Sequence, residues 1–96
     1  MASTKKGVDA VRLPERFTVE AAADVLAEIR AHAGRSDTVR IDAAAVTAAD
    51  TAGLQLLAAA RRDLIAEGKS CELDGLPESV ADSARLLGLA PILGGV

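Results

Sequence analysis

The sequence predicts an α/β fold, a small and mostly parallel sheet packed against helices. Short runs rich in β-branched residues alternate with longer runs whose apolar residues recur every three or four positions, and strands joined through helices favour parallel pairing. Glycine follows each helical run, at Gly34, Gly68 and Gly88, which is where helices commonly stop. Alanine is enriched in the helical runs and their connections, and small side chains let helices lie near a sheet.

Residues 1 to 7 are small or charged without an apolar period and are expected to form a flexible N-terminal tail, leaving residues 8 to 96 as the folded domain. Val8, Val11 and Leu13 outline a first strand ended by Pro14. Thr18 is placed to cap a first helix through its hydroxyl, and Glu20 then faces the positive end of the helix dipole. Val19, Ala22, Leu26, Ile29 and Ala33 form its apolar stripe. Thr38 to Asp42 alternates as a strand, with Val39 and Ile41 pointing one way. An alanine-rich connection, Ala43 to Ala49, leads to a second helix that starts at Asp50 or Thr51 and runs to about Glu67. Its buried side is expected to hold Leu54, Leu57, Ala58, Leu64 and Ile65, with Arg61, Arg62, Asp63 and Glu67 turned mostly outward. Ser70 to Leu73 forms a third strand in which Cys71 and Leu73 share a face. Pro77 suits the first position of a third helix with Val80, Ala84 and Leu87 on one face, and Ser79 with Asp82 offers a rival capping box. The apolar run from Leu89 to Val96, broken by Pro91, is expected to dock as a short strand or turn.

Composition narrows the function. A chain of 96 residues has room for one domain, and its single cysteine, Cys71, excludes an internal disulfide framework. Phe17 is the only aromatic residue, so no stacking platform for nucleic-acid bases exists. A net charge of −3 disfavours attraction to phosphate backbones or anionic lipid. No apolar run approaches the roughly 18 to 20 residues that cross a bilayer, and no signal-peptide core follows the first residues. A cytoplasmic protein without nucleic-acid binding or membrane insertion is expected.

The catalytic and metal candidates are each explained more simply by structure. Gly68-Lys69-Ser70 matches the end of a phosphate-binding loop, but it follows a helix and enters a strand, the reverse of the required order. His32, the only histidine, suits the negative end of the first helix. Cys71 reads as a buried, inert thiol, and Asp42 with Asp50 as polar residues at element ends rather than an acid–base pair. Catalytic residues, a metal site and a cofactor are therefore not expected.

The remaining segment is Val46-Thr47-Ala48-Ala49-Asp50-Thr51-Ala52-Gly53-Leu54, a connection into a helix N-terminus where Asp50 and Thr51 interrupt small apolar residues. Either side chain suits a cap, and the small neighbours let a partner approach the backbone closely. Asp50-Thr51-Ala52-Gly53-Leu54, preceded by Val39-Arg40-Ile41-Asp42 and followed by an amphipathic helix and Gly68-Lys69, resembles the STAS domain family over nearly the whole chain. The family signature is D-S-[ST]-G-[LVIM] at the start of the second helix. The resemblance implies a non-catalytic protein-binding module in bacterial signal transduction, like an anti-sigma-factor antagonist or a chemotaxis-associated regulator. Its partner would be an anti-sigma factor or a histidine-kinase-like protein, docked on Asp50, Thr51, Ala52 and Gly53. In antagonist members the third signature residue is a serine that the partner kinase phosphorylates. Here that position is Ala52, which has no hydroxyl, so Thr51 becomes the candidate phosphorylation site. The D-T-A-G-L form is also similar to the small STAS subunit of Mla-type phospholipid-transport complexes. That alternative implies binding to, and stabilising, the ATPase subunit of an ABC transporter.

Overall fold

In a computed structural model, described for residues 10 to 94, the elements in chain order are β1 (Ala10–Arg12), β2 (Arg16–Phe17), α1 (Val19–Ala33), β3 (Thr38–Asp42), β4 (Ala48–Ala49), α2 (Thr51–Ala66), β5 (Ser70–Asp74) and α3 (Glu78–Leu86). The expected tail at 1 to 7, Val8 of the first strand, and Gly95 and Val96 lie outside the described residues. The fold is α/β and its strands pair in parallel, as the alternation of runs predicts. β1, β3 and β5 form one sheet in that order, with Val11 opposite Ile41, Ile41 opposite Leu73 and Val39 opposite Cys71. Beyond β1 the pairing continues through the Leu13 amide, which donates to the Asp42 carbonyl (2.9 Å).

Two strands escape the sequence reading. β2 and β4 are two residues each and pair in parallel, Arg16 opposite Ala48 and Phe17 opposite Ala49. A two-residue strand has no alternation to read, and both fall where the sequence suggests only connections. Their register positions the site. Each short strand is followed one residue later by a helix, so the pairing sets the N-termini of α1 and α2 side by side.

The apolar residues of both layers merge into one core, with Val11, Val39, Ile41 and Cys71 from the sheet and Ala22, Val25 and Ile29 from α1. Leu54, Leu57, Ala58 and Leu64 join from α2, and Val80 and Ala84 from α3. Burying each of the larger aliphatic side chains favours the fold by about 1.5 to 3 kcal/mol. Three expected core positions are exposed instead: Val19 (50%), Ile65 (47%) and Leu87 (41%). All three sit in a terminal turn or at a cap, where an apolar stripe runs past the packed length of its helix. Val25 and Ala60 are buried in addition to the expected residues.

Gly68 (φ 85°) and Gly88 (φ 73°) end α2 and α3 in the left-handed conformation that favours glycine. Gly34 ends α1 with ordinary right-handed backbone. Pro77 precedes α3 as its N-cap, one position earlier than expected, and the rival Ser79 cap does not form, because Ser79 lies within the helix with its carbonyl accepting from the Ser83 hydroxyl. The segment after α3 docks as a turn: the Leu93 amide donates to the Leu89 carbonyl, and Leu93 is buried. Arg61 corrects a further expectation. Its side chain turns inward, Nε donating to the Cys71 carbonyl (3.0 Å) and Nη1 to the Ile92 carbonyl (2.9 Å). Helical spacing sets Arg61 on the apolar face, seven positions from Leu54, four from Leu57 and three from Leu64, and its long side chain reaches backbone acceptors there. Arg62, beside it, is exposed as expected.

Candidate functional site

Two helix N-termini lying side by side bring unpaired amides and two positive dipole ends together. Asp50 resolves both. Its Oδ1 accepts from the Gly53 amide of α2 (2.6 Å), and its Oδ2 accepts from the Val19 amide of α1 (3.2 Å), 31 positions away. The expected Thr18 cap is absent: Thr18 occupies the N-cap position of α1 without a side-chain bond. A carboxylate is the better partner here, because it offers two acceptors and its charge opposes both dipole ends.

Gly53 has an equally local reason. A Cβ at that position would stand 2.6 Å from the Phe17 carbonyl oxygen and 3.0 Å from Asp50 Oδ1. Glycine lets α2 approach β2 closely enough for the shared cap to form. Gly53→Ala is expected to cost about 1 to 3 kcal/mol, the range for overpacking a tight contact, read as a lowered midpoint in urea with an unchanged slope.

With Asp50 and Gly53 engaged in holding the corner, Thr51 and Ala52 are left to face outward, Thr51 exposed and Ala52 half-buried. Thr51 lines an open groove of about 250 Å³ between the start of α2 and the end of α3, shared with Ala49, Leu54, Ser83, Leu86 and Leu87. Leu86 is 89% exposed. The Val19 amide binds the other oxygen of Asp50, so among the described residues three of the four exposed large hydrophobics adjoin this corner, Ile65 being the fourth. Sequence reasoning passed over Leu86, although the signal was present: two positions from buried Ala84, it projects from the opposite side of α3, a large apolar residue on a polar face.

The other candidates remain apart from this corner. Asp42 Oδ1 accepts from the Ala44 amide (3.0 Å), so the two aspartates serve separate turns. Gly68-Lys69-Ser70 forms the link into β5, with Lys69 Nζ 3.7 Å from Asp37 and the Ser70 amide on the Asp37 carbonyl (2.8 Å). His32 lies half-buried in the last turn of α1. Burial pushes the Cys71 thiol above its ordinary pKa, against a downward pull from nearby Arg61 and with a smaller upward push from Glu72. Such a thiol is poorly nucleophilic. Among the described residues no group of three or more His, Cys, Asp or Glu side chains is placed to hold a metal ion, and no helix is long and apolar enough to cross a membrane.

The corner thus presents a hydroxyl beside exposed apolar side chains, with its carboxylate already engaged by two backbone amides. These features define a small α/β binding module. The chain belongs to the STAS domain family: the family model described as "Mlab, STAS domain" matches residues 1–94. STAS domains are generally non-catalytic modules that mediate protein–protein interaction. Comparison with curated proteins and with solved structures gave no match.

Proposed function

We propose that this chain is a non-catalytic docking module that binds a protein partner through the groove at Thr51, with Leu86, Leu87 and Val19 supplying apolar contact. The observation that carries this reading is the clustering of exposed large hydrophobics around the D-T-A-G-L corner. Exposed apolar patches on small domains commonly mark interaction sites. Asp50 and Gly53 support docking by fixing the corner, while Thr51 and Ala52 meet the partner.

Two partner classes fit this reading, and in both the protein works in the cytoplasm. In the signalling reading it regulates an anti-sigma factor or histidine-kinase-like protein, with phosphorylation of Thr51 as the off-switch. A phosphate there adds about −1.5 to −2 charges at a helix N-terminus, which the helix tolerates and an apolar interface does not. In the transport reading it is the small STAS subunit of a phospholipid-transport ABC complex and stabilises the ATPase. Ala52 favours transport, since the usual phosphorylated position lacks a hydroxyl, and so does the Mlab name carried by the matching family model. Capture from native cytosol with the tagged chain, read by mass spectrometry, separates them. The transport reading expects an ABC ATPase, whose activity rises when the chain is added back; an anti-sigma factor or kinase in its place sinks that reading and leaves signalling.

A further inference from the structure

Among the described strands, β5 has β3 as its one neighbour and lies at the edge of the sheet. Its hydrogen bonds fix which backbone groups face outward. The Ser70 amide donates to the Asp37 carbonyl and the Asp74 carbonyl accepts from the Ala43 amide, both at 2.8 Å. Ser70, Glu72 and Asp74 therefore turn their peptide groups toward β3, and the alternation of a strand turns those of Cys71 and Leu73 toward the open edge. Such an edge is a template for pairing with another strand.

The segment 89–94 is tied to this edge through a single side chain. Arg61 bridges the two: Nε binds the outward carbonyl of Cys71 and Nη1 binds the Ile92 carbonyl. Leu93, 1% exposed, anchors the segment in the core. Gly94 (φ 95°) fits tightly against the same guanidinium, since a Cβ there would stand 3.3 Å from Arg61 Nη2. One arginine from α2 thus holds the segment by its carbonyl, by its close fit at Gly94 and by its link to β5.

We infer that segment 89–94 is a strap, latched by Arg61, that denies the open edge of β5 to strand pairing with a second copy of this chain. A second copy is the fitting occupant because two identical edges satisfy each other's outward groups about a two-fold axis. Of the two exposed acids on this strand, Glu72 at its centre is already paired with Arg40 of β3 (3.0 Å) and Asp74 stands at its end, which reduces the charge opposing that pairing.

The test compares the full chain with Arg61→Ala, Gly94→Val and Arg62→Ala by sedimentation velocity over a concentration series, with amide exchange followed in parallel. The parent chain and Arg62→Ala are expected to stay monomeric. Arg61→Ala and Gly94→Val are expected to exchange at least tenfold faster across 89–94, and to form dimers that newly protect the Leu73 amide. Gly94→Val keeps the arginine and decides the matter where Arg61→Ala does not fold. Unchanged exchange in 89–94 would overturn the latch. Faster exchange without dimers, or dimers that leave Leu73 unprotected, would overturn the guarding role.

Discussion

Thr51→Glu is expected to weaken partner binding by on the order of 100-fold while leaving the fold intact, because it leaves an unpaired charge in a desolvated apolar contact. The side chain is exposed at the first position of α2, so no core packing is lost. An acid in the first turn also suits the helix dipole, so the melting temperature should hold within a few degrees. Leu86→Asp, on the facing helix, should weaken binding by a comparable factor, since the same groove is lined from both sides. Isothermal titration of each variant with the captured partner, beside thermal unfolding, separates lost contact from lost structure.

Asp50→Ala is expected to have the largest effect on stability. It removes a carboxylate that serves the Gly53 and Val19 amides together, and each helix cap contributes about 1 kcal/mol, up to about 2 in favourable sites. The expected loss is about 2 to 3 kcal/mol, or roughly 10 to 20 °C in melting temperature for a domain of this size. Asp50→Asn, which keeps one acceptor oxygen but not the charge, should fall between. Binding should fail as well, but in step with the unfolding, so the two variants at adjacent positions divide the corner into a residue that builds it and a residue that uses it. An Asp50→Ala chain as stable as the parent would contradict the shared cap.

The contrast between these positions explains how far the sequence could be read. Strands at Thr38–Asp42 and Ser70–Asp74 and the three helices were legible because alternation, helical spacing and stop glycines are local signals. The D-T-A-G-L segment was legible as a candidate site, but the division of labour within it was not. Asp50 reaches Val19 across 31 positions, a contact set by the pairing of two strands too short to show a pattern. Arg61 is expected to turn outward on its charge, although its spacing from Leu54, Leu57 and Leu64 sets it on the apolar face; the acceptors that hold it there come from β5 and from the turn near Ile92, which no local pattern shows. Val19, Ile65 and Leu87 belong to apolar stripes and are nevertheless exposed, because a stripe does not mark where its helix outruns its packing partners. Of those three, Leu87 lines the groove and Val19 adjoins it through its amide on Asp50, so two of the misplaced core residues lie at the proposed docking corner.

The most direct test of the docking surface is a side-by-side titration of the captured partner with the parent chain, Thr51→Glu and Ile65→Asp. Ile65 is, among the described residues, the exposed large hydrophobic outside the corner, about 21 Å along α2 from Thr51, so it controls for adding charge to an apolar surface position. The account predicts that Thr51→Glu loses binding on the order of 100-fold and that Ile65→Asp binds as the parent does. Full binding by Thr51→Glu together with loss in Ile65→Asp would place the partner at the other end of α2 and contradict the account.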